Sequence, residues 1–261
     1  MRDFLDVLAQ DSKRTVEDGY YKEAGVSRTI EAKRYSFRKT ILRCERNPVI
    51  TEVKLASPSR NTIRENVDIV DAASAMVRGG AVGISVLTEP KHFKGSLEGF
   101  TRVRGNVNAP LLMKDFIVSR VQIDAASRLG ADAILLIQAL FDRNYCDRNL
   151  NATIEYAHSH SIEVLLEAHS EDEFKKATNS EADMMGINNR DLRTFAVDLS
   201  VTEAILKEND GCNRIVVSES GIESPADLRF LRNAGAHAFL VGTAVMSANN
   251  IEEKVRELTE A

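Results

Sequence analysis

The chain contains no tryptophan, only three cysteines and five prolines, and no apolar run long enough to cross a membrane. Each scarcity removes a class of protein. A membrane helix needs about 18 apolar residues in succession. The start of the chain, with Arg2, Asp3 and Asp6, lacks the apolar stretch of a signal peptide, so a cytoplasmic location is expected. Cys44, Cys146 and Cys212 are odd in number and far apart, without the CxxC spacing of zinc or redox sites, and are expected to be reduced and structural. His158 and His160, two apart, point to different sides of a helix and offer no metal pair. The formal charge of −5 gives no global attraction to nucleic acid or an anionic membrane. An anionic ligand must therefore meet locally placed cations. No GxGxxG word follows the first apolar run, which argues against a doubly wound dinucleotide-binding sheet.

With 43% hydrophobic and 28% charged residues, 261 residues suffice for one sizeable core. From about residue 47, short runs rich in Val, Ile and Leu alternate with stretches of helical period, the pattern of repeated βα units. Eight runs are read as strands, over residues 49–54, 82–87, 111–114, 133–138, 163–167, 184–188, 215–218 and 238–241. Ser119, Ser170 and Ser224 each stand a few residues after a strand as a helix N-cap, the first two with Gln122 and Glu173 three residues on. Pro225 occupies the first helical position, where its missing N–H costs nothing. Helices end in similar words, Arg78-Gly79-Gly80-Ala81, Arg128-Leu129-Gly130-Ala131 and Arg232-Asn233-Ala234-Gly235-Ala236, with glycine available for a left-handed stop. The predicted fold is α/β, a (β/α)8 TIM barrel over residues 47–261 in one domain. Residues 1–45 form a helical extension: Phe4, Leu5, Val7 and Leu8 at amphipathic spacing, then a helix-like segment from about 31 to 43, both packed on the barrel's bottom or rim.

Polar residues collect where the strands end: Glu52 and Lys54, Thr88 and Glu89, Lys114 and Asp115, Gln138, Glu167, Asn188 and Arg190, Glu219 and Ser220, Gly242 and Thr243. A barrel brings these ends to one mouth, where active sites of the fold lie. Each residue alone also has a structural reading. Glu52 and Lys54, on the same side of a strand, suit an ion pair plugging the barrel as well as a catalytic pair. Glu167 behind Val164-Leu165-Leu166 is a buried carboxylate, fit to accept a proton near neutrality. Asn189 and Asp191 read as turn residues. Ser220-Gly221 and Gly242-Thr243, after strands seven and eight, suit a phosphate grip by backbone N–H groups.

The wording then becomes specific. Glu52-Val53-Lys54-Leu55-Ala56-Ser57-Pro58-Ser59, Leu87-Thr88-Glu89 with Phe93-Lys94-Gly95-Ser96, Leu112-Met113-Lys114-Asp115-Phe116-Ile117, Leu165-Leu166-Glu167, Gly186-Ile187-Asn188-Asn189-Arg190-Asp191-Leu192, Ser218-Glu219-Ser220-Gly221-Ile222 and Leu240-Val241-Gly242-Thr243 together resemble the indole-3-glycerol-phosphate synthases of tryptophan biosynthesis. The resemblance runs in order from about residue 47 to 247. It departs at Arg60-Asn61, where the family usually has Lys-Gly, and at Thr243, where Glu or Ser is usual. Any aromatic contact that an N-terminal tryptophan makes in relatives must come here from Phe or Tyr, or be missing.

The resemblance implies a small phosphorylated substrate, 1-(2-carboxyphenylamino)-1-deoxyribulose 5-phosphate, and no cofactor or metal. It implies Lys114 as the acid of condensation, Lys54 near phosphate and the reacting hydroxyl, and Glu167 as the base of the rearomatising step. Glu52 would hold a lysine charged, Asn188 and Arg190 would orient substrate, and Glu219 would meet hydroxyls or a lysine. Ser220, Gly221, Gly242 and Thr243 would hold the phosphate, and Ser57 would bind substrate. Phe93, with Leu112, Leu135 or Leu240, would line a slot for the aromatic ring. No nucleic-acid or membrane partner is expected; a monomer or weak homo-oligomer is, with docking to other tryptophan-pathway enzymes compatible with it. Two rivals stay open: a Schiff-base aldolase with Lys114 as nucleophile, and a barrel that binds phosphate ligands without catalysis.

Overall fold

A computed structural model describes residues 3–22, 34–55 and 67–261. Eight parallel strands close into a barrel in sequence order: β1 (Val49–Val53), β2 (Gly83–Leu87), β3 (Leu111–Lys114), β4 (Ala133–Ile137), β5 (Glu163–Ala168), β6 (Met184–Asn188), β7 (Val216–Glu219) and β8 (Ala238–Val241). Three predicted strands have the observed limits, and the other five differ by one residue at one or both ends. At Gln138 the backbone turns straight into a helix, Gln138–Asp142, so that the fourth strand stops at Ile137.

The side-chain period of two divides every strand between two cores. Ile84, Val86, Met113, Ile134, Leu136, Val164, Leu166, Met185 and Val216 face outward and pack under the helices. Ile50, Leu112, Leu135, Leu165, Met184, Val217 and Leu240 face inward and fill the barrel. Glu52 therefore shares the inward parity of Ile50, Lys114 that of Leu112, Glu167 that of Leu165, and Glu219 that of Val217. The apolar plug ends below the rim, and the next inward position on β1, β3, β5 and β7 is charged.

All three predicted serine caps form, with the Ser119 hydroxyl accepting from Val121 N, Ser170 from Glu173 N and Ser224 from Asp227 N. Gln122 completes its reciprocal box, whereas the Glu173 carboxylate accepts from the backbone N–H of His169. Gly80, Gly130 and Gly235 take the left-handed conformation that stops their helices.

The extension divides between the two ends of the barrel. Helix α1 (Phe4–Glu17) crosses the mouth, where Leu5 and Leu8 are buried and the Ser12 hydroxyl donates to the Phe116 carbonyl 2.6 Å away. Helix α2 (Phe37–Leu42) closes the opposite end, its Phe37 ring filling the space that a side chain at Gly83 would take. This helix begins later than the predicted 31–43, because Ser36 caps it by accepting from Lys39 N; residues 31–33 lie outside the described residues. Among the described residues no helix is long and apolar enough to cross a membrane.

Candidate active site

Glu52 is the hinge of the charged layer. Its Oε1 lies 2.6 Å from the Lys54 ammonium and its Oε2 3.0 Å from that of Lys114. Lys114 donates in turn to Glu219 Oε2 at 3.1 Å. Beside them the Asn188 amide donates to Glu167 Oε1 at 3.1 Å, while Asn188 Oδ1 accepts from Arg190 N. Residues from β1, β3, β5, β6 and β7, over 160 positions apart in sequence, thus meet in one cluster. Glu52, Glu167 and Glu219 are each at least 96% buried.

Glycine makes room for this crowding at two places. A Cβ at Gly186 would lie 2.5 Å from Glu219 Oε1, and one at Gly242 would lie 2.6 Å from Glu52 Oε1 and 3.2 Å from Lys54 Nζ. Gly242→Ala is therefore expected to displace the Glu52–Lys54 pair and lower kcat/KM by up to about a hundredfold, the cost of misplacing reacting groups by roughly 1 Å. Steady-state kinetics of the refolded variant beside the parent checks this.

The electrostatics assign each group a protonation state. Burial alone would depress the Lys114 ammonium, but the charges of Glu52, Glu219 and Glu167 outweigh it and hold the group above its ordinary range. Burial would likewise raise Glu52, yet Lys114 and Lys54 pull it down to about 2. Glu167 goes the other way. Burial, reinforced by the charge of Glu219, pushes it up to about 8 against the opposing pull of Lys114. Glu219 is also raised by burial, with Lys114 opposing. The layer thus presents a fixed cation beside a carboxylate poised to exchange a proton near neutral pH.

Two clefts open on this layer and share Glu52, Lys54, Lys114, Arg190, Ser220 and Thr243. The first, about 770 Å³, is walled by rings and aliphatic chains: Phe4, Leu8, Phe93, Phe116, Leu135, Ile137, Leu192 and Phe195. The second, about 980 Å³, is walled by Ser220, Gly221, Ile222, Leu240, Gly242 and Thr243. Ser220 and Gly221 both have positive φ, 69° and 82°, and a Cβ at Gly221 would lie 2.4 Å from Val197 Cγ1. Position 221 is therefore closed to any other residue without movement of that loop.

Most predicted site residues come together here. The slot residues separate: Phe93 and Leu135 line the first cleft, Leu240 lines the second, and Leu112 lies below both in the barrel core. Ser57 and Arg60-Asn61 lie outside the described residues. Thr88, Glu89 and Gln138 have supporting roles. The Thr88 hydroxyl donates to Asp115, Glu89 accepts from the N–H groups of Lys91, His92 and Phe93, and Gln138 donates to Asp142. The Glu89 contacts hold the Phe93 loop, and the Phe93 ring lies 5.8 Å from that of Phe116. Asn189 is a buried strut between Ser218, Ser220 and Thr202, a structural residue outside the turn that the sequence reading placed there. Asp191 pairs with Arg193, which holds it down at about 2.

Sequence reasoning missed Phe4, Leu8, Phe116, Leu192 and Phe195 as cleft walls. Phe116 follows Lys114 within one short word and could have been inferred from the strand ending there. Phe4 and Phe195 meet edge to face, 5.0 Å between centroids, across 191 positions of chain, and no local signal links them.

The family described as indole-3-glycerol phosphate synthase matches residues 5–258 of this chain. The indole-3-glycerol phosphate synthase of Methanocaldococcus jannaschii is 44% identical over 214 residues, 81% of this chain and 77% of that protein. The one from Bacillus mycoides is 38% identical over 251 residues, 96% of each. Among solved structures, the thiamine phosphate pyrophosphorylase from Pyrococcus furiosus matches with a TM-score of 0.60 at 18% identity, covering 83% of this chain and 95% of that one. That last likeness is one of fold alone.

Proposed function

The chain belongs to the indole-3-glycerol phosphate synthase family, and from that premise we propose the roles by which its residues convert 1-(2-carboxyphenylamino)-1-deoxyribulose 5-phosphate into indole-3-glycerol phosphate, a carboxy-lyase reaction of tryptophan biosynthesis. The observation that carries the assignment is the position of the Lys54–Glu52–Lys114 chain on the boundary between an aromatic-walled cleft and a glycine- and hydroxyl-walled one. A substrate with an aryl ring at one end and a phosphate at the other spans that boundary with its ketone at the ammonium groups.

Phosphate lies against Ser220, Gly221, Gly242 and Thr243, and Lys54 faces it from the rim. The anthranilate ring stacks among Phe93, Phe116 and Leu135, with Phe4 supplying an N-terminal aromatic contact in a chain without tryptophan. Arg190, which lines both clefts, suits the substrate's anionic groups and helps orient them. Lys114 donates its proton to the ketone oxygen as the ring carbon bearing the carboxylate attacks, forming the C–C bond. Carbon dioxide then departs and returns its bonding electrons to the ring. Loss of the new hydroxyl as water requires a second proton, from Lys54, and loss of a proton from the adjacent carbon to Glu167 completes the indole. Asn188 fixes the Glu167 carboxylate, and Glu52 and Glu219 keep Lys114 charged and aimed.

The charge on Lys114 also decides against the Schiff-base aldolase, since an amine must be neutral to attack a carbonyl. Borohydride added during turnover is expected to leave no mass increment on Lys114; a stable adduct there would revive the aldolase. The direct test supplies the carboxyphenylamino-deoxyribulose phosphate to purified protein and follows indole fluorescence. No increase in signal would refute the assignment.

A further inference from the structure

Ring closure does not balance in protons within the site. The ketone oxygen takes one and the departing hydroxyl a second, whereas only one returns, from the carbon beside the nitrogen. Carbon dioxide leaves without one. Each turnover therefore draws one proton from solvent, into a site roofed by α1 and filled by substrate.

A second cavity, unused by ring closure, also reaches Glu167. It measures about 650 Å³, shares Ile137, Glu167 and Leu192 with the aromatic-walled cleft, and continues past His169, Ser170 and Glu173. Its cations are already matched. Arg143 lies 2.8 Å from both Asp3 and Asp6, and Arg193 lies 2.9 Å from Asp191, so the cavity is not an anion pocket. His169 differs from its neighbours. Its Nδ1 stands 2.7 Å from the Asn188 carbonyl oxygen. A carbonyl only accepts, so Nδ1 carries hydrogen and the basic lone pair of the neutral ring is on Nε2. Its backbone N–H is held by Glu173 Oε2 at 2.8 Å. Asn188 thus holds the base through its side chain and this imidazole through its backbone.

We propose that this second cavity is the proton entrance of the active site, with His169 resupplying Glu167 through water in the cavity. A proton from solvent binds Nε2 while Nδ1 stays bonded to Asn188. The imidazolium passes it through water to the Glu167 carboxylate and returns to its neutral state. Glu167 then delivers two protons per turnover to the lysines, one taken from the substrate carbon and one from solvent, which replaces the two they donated. The charged groups around the relay suit this direction. Glu219 and Glu173 favour a proton on Glu167 while Lys114 opposes it.

This inference rests on the ring-closure assignment, and the unaltered chain tests that first: without an indole signal from it, both readings fall. His169→Asn in the full chain keeps an amide N–H for the Asn188 carbonyl but removes the titratable nitrogen. In dilute buffer above neutral pH its steady-state turnover is expected to fall roughly a hundredfold, the low end of the range for a lost proton-transfer group. Added imidazole should restore the rate, and a single turnover with enzyme in excess should proceed as in the parent, because one cycle needs only protons already bound. Ala139→Leu, which narrows the cavity without touching an ionisable group, should give the same loss. Parental turnover in both variants would overturn the proposal. So would a loss that imidazole leaves unchanged or that is already present in the single turnover, since His169 would then act only by positioning Asn188.

Discussion

Lys114→Met is expected to lower kcat by roughly a thousandfold to ten-thousandfold, the upper range for a lost general acid, while the substrate still binds. Methionine keeps the length of the side chain and removes the proton and the charge. The phosphate contacts proposed for Ser220, Gly221, Gly242 and Thr243 would come from other strands and not depend on the ammonium. Stopped-flow turnover together with equilibrium binding of the substrate separates the two effects, and near-normal kcat would remove Lys114 from the mechanism. The variant leaves Glu219 without its ion-pair partner, so its folding is checked by circular dichroism. Glu219 already lies above the ordinary carboxylate range and can take up a proton, so the barrel is expected to survive the loss.

Glu167→Gln is expected to lower kcat by about a hundredfold to a thousandfold with little change in KM. The amide preserves the shape of the side chain beside Asn188 but cannot accept the proton. The pH profile gives an independent check. A carboxyl raised to about 8 is mostly protonated below that pH, and a protonated base is idle. The parent rate should therefore climb as pH rises through that region, whereas the Gln variant should lack that limb. A variant impaired only in KM would show that Glu167 binds substrate without acting as a base.

The barrel was legible because its strands are apolar on both faces and its helices carry serine caps at the right distance. Both are local signals, and they placed Lys114, Glu167 and Glu219 at strand ends before any contact was known. The proposed partition of roles rests on the family resemblance alone. Nothing in the sequence alone says that Glu52 holds two lysines at once, since that depends on β1 and β3 standing two places apart around a closed barrel. The extension was the least readable part. An amphipathic period shows that one face of Phe4–Glu17 is buried, but not against which end of the barrel, and the Phe4–Phe195 contact arises only once that end is chosen. Gln138 and Thr88 show the opposite failure, polar groups at strand ends whose partners are other parts of the scaffold.

Consecutive left-handed residues at Ser220 and Gly221 carry a lesson for mutagenesis. If the main chain there grips the substrate's anion, truncating side chains one at a time will under-report how tightly the mouth holds its ligand, and the loop will look dispensable in an alanine survey.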